Sequence, residues 1–401
     1  MAVDESPSIQ THTAQLLSGP SRGWEESERE LVETGLSLPL HHRTVWAGAH
    51  SSAQSWFLAV RDAAGRCTCG FAIDVTRSRV LPGHLLLRVE RFGPALNDEA
   101  RVAAVTELAR LARRAPVLRV YLDVFSRDCS VRDQVAAVAH ALGFRRPASP
   151  WTYTQTVVVD LTPDESDILA SFNRNARRNI RDIGKQPFAV RPISDVQYAP
   201  RMEALMRETV ARTGGACTSK DWPAIITFSN AYPTLSRVVG QFRTDGAPET
   251  LVAFSCARSH GDYVEDYARA STRVEGRRVS LTHSLVWDLM RWAKANGARW
   301  YDFGGITAGH SGGTDPVGGI SDFKRSFGGE VVIVGDAWVL EPRPFRASLQ
   351  KAASRVWLLA SGHRRVAQPT VQGADQHLTP RPLRLPLRLD GRLEIERMGG
   401  Q

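Results

Sequence analysis

Lysine and cysteine are both scarce in this 401-residue sequence. Only five of its 51 basic residues are lysines, and all the others are arginines. Because arginine is the default cation of the chain, each lysine is informative about its position. The lysines are Lys185, Lys220, Lys294, Lys324 and Lys351.

The cysteines and the hydropathy pattern exclude several classes of protein. Five scattered cysteines do not suggest a disulfide framework, which indicates a reducing compartment. Cys67 and Cys69 have no second cysteine pair, so a metal site is not expected there. The first residues show no basic-then-apolar pattern, so a signal peptide is not expected, and the sequence has no apolar run of about 18 residues. A cytoplasmic protein is expected.

Positive charge is distributed unevenly along the chain. The net charge is +9 overall, with −5 over residues 1–40, +8 over residues 41–340 and +6 over residues 341–401. A basic body favours polyanionic partners, namely nucleic acid, nucleotide-linked substrates or an anionic membrane surface.

Composition and periodicity predict an α+β protein in four segments. Residues 1–22 are expected to form a flexible leader, because they are polar and rich in Ser and Thr. Residues 346–401 are expected to form a basic tail, partly disordered. Two domains lie between these segments, at residues 23–150 and 151–345.

The two predicted domains repeat one order of elements. A helix, a short turn and a strand that ends in aspartate occur at Leu108–Asp123 and again at Leu285–Asp302. This predicts a duplicated module, with chance similarity as the alternative. The other main predictions are helices over 99–115 and 281–296 and strands over 117–124, 151–161, 236–243, 249–258, 262–270, 299–302 and 331–340.

A helix start signal opens the second domain. Thr162 is expected as the N-cap, Pro163 at the first helical position and Glu165 as the capping-box acid. One apolar stripe then follows at helical spacing, through Ile168, Phe172, Ala176 and Ile180.

Four arginines lie on this predicted helix. Arg174, Arg178 and Arg181 share one face, with Arg177 beside them. Clustered guanidinium groups bind phosphate well, because each offers a fork of donors. A solvated helix face gives the same pattern, so both interpretations stay open.

Glycines and a lysine mark a second candidate region. The predicted strand ends in Asp302, and Gly304 and Gly305 permit a turn and the close approach of a ligand. The loop 306–319 is rich in small residues, which is typical of a flexible lid. Lys324 follows in the run Phe323–Gly329, either as a functional residue or as an ordinary surface cation.

In order and spacing, Asn173–Arg181, Asp302–Gly305 and Phe323–Gly329 resemble the FemABX family. Its members are tRNA-dependent aminoacyltransferases that build peptidoglycan interpeptide bridges. The resemblance is strongest over about residues 150–345. It implies tandem duplicated GNAT-like (acetyltransferase-like) domains. The chain has no long heptad run, so the coiled-coil arm of some members is not expected.

The resemblance also implies the substrates. The donor would be aminoacyl-tRNA, and the acceptor would be the stem peptide of a UDP-linked or lipid-linked muropeptide. Neither a metal nor a cofactor is implied. No stable protein partner is expected, whereas the basic tail is compatible with peripheral contact to an anionic membrane.

Particular residues correspond to the family's motifs. Lys324, with Phe323 beside it, matches the family's F-K motif near the acyl-transfer site. Arg212 corresponds to an acceptor-binding arginine, but the aromatic residue that follows it in the family is missing here. Tyr263 and Tyr267 lie on a strand where the family often has tyrosine, and both are also ordinary strand residues.

The implied chemistry is aminolysis of an ester, which needs a proton acceptor and a donor for the oxyanion. Lys324 is expected to supply positive charge to the oxyanion. Asp302 is expected either to orient the loop or to take the proton. No arrangement for a covalent enzyme intermediate is visible in the sequence.

The segment Gly276–Leu281 bears on the donor. In acetyl-CoA enzymes of this fold, a Gly-x-Gly loop holds the pyrophosphate with backbone N–H groups. Arg278 and Ser280 stand at the small positions here, which favours an RNA backbone over CoA. Three alternatives stay open: an acyl-CoA-dependent N-acyltransferase, transfer to a peptide natural product, and a non-catalytic nucleic-acid or membrane-surface binder.

Overall fold

Two β-sheets organise the chain. The computed structural model describes residues 12–49, 54–213, 220–245, 250–273, 280–350 and 352. Within these ranges the chain divides into two compact units. The first consists of residues 12–148 and 336–350, and the second of residues 149–335.

Strands and helices are interleaved along both units. The strands are β1 (Thr13–Ser18), β2 (Gln54–Arg61), β3 (Cys67–Arg77), β4 (Leu85–Phe92), β5 (Val117–Phe125), β6 (Gln155–Asp160), β7 (Phe188–Pro192), β8 (Ser236–Arg243), β9 (Thr250–Ser259), β10 (Tyr263–Ser271), β11 (Trp300–Gly305), β12 (Glu330–Ile333) and β13 (Gly335–Leu340). The helices are α1 (Arg22–Glu33), α2 (Thr44–Ala49), α3 (Asp98–Arg114), α4 (Cys129–Ala141), α5 (Glu165–Ser171), α6 (Arg174–Ile183), α7 (Ala199–Thr213), α8 (Trp222–Ala231), α9 (His283–Ala295) and α10 (Gly318–Arg325).

The first sheet has the strand order β1-β2-β3-β4-β5-β13. Strands β4 and β5 are parallel, and β1 to β4 pair antiparallel in sequence. Asn97 is the N-cap of helix α3, and its side chain accepts from the Ala100 N–H at 2.8 Å. Its apolar face contributes Val105 and Leu108 to the core. The predicted helix over 99–115 and strand over 117–124 are confirmed.

The leader prediction is wrong for residues 13–18. They form β1, which pairs with β2 along its whole length. Ala14 and Leu16 pack against the first core, so alternating apolar side chains fix this segment as a strand. Residues 1–11 of the predicted leader lie outside the described residues, and so do residues 351 and 353–401 of the predicted tail.

The predicted final strand over 331–340 is two strands in different sheets. Strand β12 pairs with β6 in the second sheet, whereas β13 lies beside β5 in the first. The chain leaves the second sheet at Gly335, where a Cβ atom would lie 2.0 Å from the Tyr153 carbonyl oxygen. Only glycine allows that approach. The second unit therefore ends before residue 345, the predicted end of the second domain.

The second sheet has the strand order β12-β6-β11-β10-β9-β8-β7. Its predicted strands over 236–243, 249–258 and 262–270 are confirmed as β8, β9 and β10. Helix α9 buries Leu285 and Leu289 in the second core, as its spacing predicts. Strands β10 and β11 are parallel, so both units contain a parallel pair that follows the same helix–strand order.

The predicted long helix after residue 162 is two helices. Asp164, not Thr162, occupies the N-cap position of α5, so Pro163 lies before the helix. Phe172 and Asn173 are extended between α5 and α6, and the Asn173 side chain accepts from the Ala176 N–H at 2.8 Å. Phe172 still packs in the core, so the apolar stripe survives the break.

Helix length is modest throughout the described ranges. Helix α3, with 17 residues, is the longest of the helices named above. None of the helices within those ranges is both long and apolar enough to cross a bilayer. The described residues contain no coiled-coil arm.

Candidate active site

The candidate site lies where the parallel strands β10 and β11 separate. Their pairing covers three positions and ends at Glu265 and Asp302. Beyond this point β10 continues to Ser271 and β11 to Gly305 without pairing to each other. A gap between parallel strands leaves backbone polar groups available for a ligand or a side chain.

The amine of Lys324 occupies this gap. Its Nζ donates to the Gly305 carbonyl oxygen at 2.5 Å. A Cβ atom on Gly304 would lie 3.8 Å from both Lys324 Nζ and the Asp266 carbonyl oxygen. Lys324 therefore reaches from α10 to the point where the strands diverge, which the sequence alone did not predict.

Burial makes the Lys324 amine easy to deprotonate. The residue is only 5% exposed. Loss of hydration, with a smaller contribution from the Arg269 charge, lowers the pKa of Lys324 to about 7. Three carboxylates act in the opposite direction, in the order Asp266, Asp302 and Glu265. Near neutral pH the amine is therefore able both to donate hydrogen bonds and to change its charge.

Asp302 is fully buried and has a partner at each oxygen. Its Oδ1 accepts from the Thr156 hydroxyl and from the Gly304 N–H, the latter at 2.8 Å. Its Oδ2 accepts from the Tyr153 hydroxyl at 2.7 Å. Gly304 adopts φ +68°, a left-handed conformation that suits glycine. Of the two predicted roles for Asp302, the geometry favours orientation of this turn.

Glu265 and His260 extend the buried polar cluster. Glu265 lies within 3.3 Å of both the Tyr153 hydroxyl and His260 Nε2. Tyr263 stacks between the His260 ring, at 4.9 Å, and the Trp300 ring, at 4.2 Å. Tyr263, a predicted binding residue, is thus a buried part of the strand packing.

Asp266 and Arg269 lie on β10, next to the gap. Asp266 forms an ion pair with Arg269 through Oδ2, and the guanidinium of Arg269 lies 4.3 Å above the Phe323 ring. Phe323 also packs against the ring of His283, at 4.7 Å. Burial lowers the pKa of His283 to about 4, and Arg269 adds to this effect, so the imidazole is neutral. Phe323 therefore connects the lysine motif to the start of α9.

The arginine helix begins beside this site. The Asn173 N–H donates to the Ser326 carbonyl oxygen at 2.9 Å, two residues beyond Lys324. All four arginines of α6 are exposed. Arg177 donates to the carbonyl oxygens of Ala170 and Phe172 and so caps the end of α5. Arg174, Arg178 and Arg181 remain as the exposed cations of this face.

The structure does not bring Arg212 and Tyr267 to the lysine. Arg212 is exposed near the end of α7 and donates to the Ser271 carbonyl oxygen at 3.3 Å. The Tyr267 hydroxyl accepts from Lys220 Nζ at 2.8 Å, and the Arg258 guanidinium lies over its ring. Neither residue is bonded to Lys324 in the part of the chain that the structure describes.

The loop predicted as a lid is tied to α10. His310 Nδ1 and the Ser311 N–H both contact the Asp322 carboxylate at 2.7 Å. Arg325 donates to the Gly309 carbonyl oxygen at 3.1 Å. These contacts hold the loop beside the helix that carries Lys324. Of the donor segment Gly276–Leu281, residues 276–279 lie outside the described residues, so the preference for an RNA backbone over CoA stays a prediction.

Sequence reasoning missed the acids on β10. Glu265 and Asp266 are consecutive carboxylates within a buried strand, and this pattern was a usable signal. Tyr153 and Thr156 gave no such signal, because they are ordinary strand residues whose role depends on Asp302. Within the described ranges, no group of three or more His, Cys, Asp or Glu side chains is arranged to hold a metal ion.

Comparison with known proteins gives one family match and several similar folds. Residues 278–355 match the model of the FemAB family, and this segment includes Asp302 and Lys324. No curated protein matches the chain by sequence. The solved structure of FemX is 15% identical, with a TM-score of 0.67, over 82% of this chain and 98% of FemX.

Two further solved structures are similar. A tandem GNAT protein from the clavulanic acid biosynthesis pathway is 15% identical, with a TM-score of 0.50, over 83% of this chain and 99% of its own. L-PGS from Bacillus licheniformis is 12% identical, with a TM-score of 0.48, over 85% of this chain and 97% of its own. The predicted fold class, α+β with duplicated GNAT-like units, is confirmed by FemX and the tandem GNAT protein.

Proposed function

We propose that the protein belongs to the FemABX family and is an aminoacyltransferase, because residues 278–355 match the FemAB model and the fold is similar to that of FemX. It would transfer an amino acid from aminoacyl-tRNA to an amine on the stem peptide of a UDP-linked or lipid-linked muropeptide. The observation that carries the proposal is the position of Lys324. Its amine lies in the gap between β10 and β11, inside the segment that matches the FemAB family.

The reaction joins an amine to an activated ester. The acceptor nitrogen attacks the ester carbonyl carbon, a C–N bond forms, and the C–O bond to the ribose of the tRNA breaks. Much of the rate then comes from holding two substrates in line. The developing oxyanion needs a hydrogen-bond donor, and Lys324 has that chemistry in a buried setting where such a bond is strong.

Asp302 supports this arrangement as a positioning residue. Its bonds to Thr156, Tyr153 and the Gly304 N–H fix the end of β11. Gly305, whose carbonyl oxygen accepts from Lys324, follows directly. The orientation of the lysine thus depends on a turn that Asp302 holds in place.

The donor and the acceptor can be identified by product mass. We expect the purified protein, a charged tRNA pool and muropeptide precursors to give an acceptor whose mass increases by one amino-acid residue. Ribonuclease treatment of the pool should abolish this product. Product that survives ribonuclease and requires an acyl-CoA would contradict the proposed donor. Aminoacylation of a peptide natural product, with muropeptides untouched, would contradict the proposed acceptor.

The exposed arginines of α6 provide a test of tRNA binding. Replacing both Arg174 and Arg178 by alanine should reduce the slope of log affinity for tRNA against log salt by about two units, because each phosphate contact contributes about one. The slope can be measured by filter binding between low and physiological salt. Affinity for a UDP-linked acceptor should stay unchanged.

A matched pair of arginines provides the control. Arg77 and Arg79 are exposed in the first unit, away from α6 in sequence. Their double alanine variant should keep the wild-type slope. An equal loss of slope in both double variants would contradict a specific role of α6. A loss of acceptor affinity with an unchanged tRNA slope would assign α6 to the other substrate.

A further inference from the structure

Asp266 has a carboxylate oxygen that the protein leaves without a partner. It is the first residue of β10 beyond the pairing with β11. Its side chain is 1% exposed. Oδ2 pairs with Arg269, but Oδ1 has no hydrogen-bond partner in the described part of the chain. A buried carboxylate oxygen without a donor is costly, and such groups in native structures often mark functional sites.

The two aspartates at the gap differ in this respect. Asp302 accepts hydrogen bonds at both oxygens, whereas Asp266 keeps one oxygen unused. A carboxylate saturated with donors is a poor proton acceptor, because those bonds stabilise its ionised form. Burial instead raises the pKa of Asp266, with the charge of Arg269 acting in the opposite direction. Asp266 Oδ1 therefore has an unused acceptor position, and the raised pKa of the carboxyl favours its taking a proton.

Lys324 and Asp266 interact electrostatically without forming an ion pair. Of the three carboxylates, Asp266 acts most strongly on the charge of Lys324. Yet the two side chains form no ion pair, since the one polar contact found for Lys324 within the described ranges is with the Gly305 carbonyl oxygen. The two groups are therefore left unbonded to each other, as a base and an oxyanion donor must be if the reacting atoms are to contact both.

We propose that Asp266 Oδ1 is a catalytic base that binds the ammonium group of the acceptor and takes its first proton. This rests on the proposed function. The neutral amine then attacks the ester carbonyl carbon. The nitrogen of the adduct loses its second proton to the departing ribose oxygen, and Asp266 releases the first proton to solvent after product leaves. One C–N bond forms, one C–O bond breaks and one proton is released.

Several titratable and charged groups lie around Asp266 and influence its pKa. Strand β10 contributes Glu265 and Arg269, and α10 contributes Lys324. From β11, Asp302 faces the same carboxylate, and so does Tyr301, whose hydroxyl is buried without a partner in the described ranges. Strand β9 adds the thiol of Cys256, and the neutral His283 of α9 interacts with Arg269, the ion-pair partner of Asp266. Asp266 is the acid among them with a free oxygen.

The first test is the pH dependence of turnover in Asp266→Asn. Its kcat should fall by about 10²-fold or more, the usual contribution of general base catalysis. The wild type should lose kcat at low pH as Asp266 becomes protonated, and this acid limb should be absent in Asp266→Asn. Glu265→Gln, which changes a neighbouring carboxylate that already has partners, should keep the limb. Asp266→Glu should recover part of the rate.

The second test needs no turnover. The carboxyl ¹³C resonance of Asp266 is the one that disappears in Asp266→Asn. Methylammonium, a minimal primary ammonium probe, should shift this resonance. Tetramethylammonium, which has no N–H donor, should not. A resonance insensitive to methylammonium would overturn the proposal, as would an unchanged acid limb in Asp266→Asn. If the wild type forms no product, the proposed function fails, whereas an active wild type with an unchanged limb contradicts only the role of Asp266.

Discussion

Replacing Lys324 by alanine is expected to lower kcat by about 10²-fold or more, the usual cost of losing one oxyanion donor. The amine reaches the gap between β10 and β11, where its hydrogen bond to Gly305 holds it. Folding should be retained, because burial lowers the pKa of Lys324 to about 7 and its charge is therefore not a source of stability at neutral pH. The rate of product formation measures the loss of turnover, and circular dichroism measures whether the variant is folded.

Lys294 provides the matched control for this substitution. Its Nζ donates to the carbonyl oxygens of Leu161 and Pro163, at 2.8 and 2.7 Å, so it is also an engaged lysine of the second unit. Lys294→Ala should lower stability but leave kcat near the wild-type value. A folded Lys324→Ala variant with wild-type turnover would contradict the assignment of Lys324.

Asp302→Ala is expected to reduce the free energy of unfolding by about 1–3 kcal/mol, the cost of one buried donor left unpaired. The Gly304 N–H loses its acceptor, whereas the hydroxyls of Tyr153 and Thr156 keep only their contacts to Glu265 and to the Gly304 carbonyl oxygen. Urea unfolding followed by tryptophan fluorescence measures the loss. Asp302→Asn, whose amide oxygen can still accept from the Gly304 N–H, should lose less.

The control for Asp302 is an aspartate with similar bonds at the surface. Asp160 accepts from the N–H and the hydroxyl of Thr162, at 2.9 and 2.8 Å, but it is exposed. Asp160→Ala should therefore cost within about 0.5 kcal/mol, as is usual for surface substitutions. Equal losses in the two alanine variants would contradict the structural role given to Asp302.

The sequence predicted correctly those elements whose pattern is contained in a few neighbouring residues. Helices α3 and α9 have apolar side chains at spacings of three and four residues, and each ends before a short turn that leads into a strand. Lys324 was identified because lysine is rare in this chain and because it lies in a motif with a fixed spacing to Asp302. Both signals are contained in a few neighbouring residues.

The elements that sequence predicted wrongly depend on distant contacts. The apolar stripe after Ile168 continues across the break at Phe172, so periodicity alone could not show that Asn173 starts a new helix. The split of residues 331–340 depends on how closely Gly335 approaches Tyr153, which lies far away in sequence.

The same limit applies to the candidate site. Whether an aspartate is a base or a positioning group depends on its partners, and the sequence does not reveal them. Tyr153 bonds to Asp302 across 149 residues, and this contact occupies the oxygen that would otherwise be available. Asp266 has no comparable partner at Oδ1 among the described residues, although both aspartates occur at similar places on neighbouring strands.

Strand β13 determines when the first sheet can be completed as the chain is synthesised. Strand β5 ends at Phe125, and its neighbour β13 begins at Gly335, about 210 residues later. A ribosome adding about 5–20 residues per second needs roughly 10–40 s to supply that strand. Until then one edge of β5 has no strand beside it, and an open, apolar edge is a site for pairing with other chains. The first unit, although it starts first, is the last to finish its sheet.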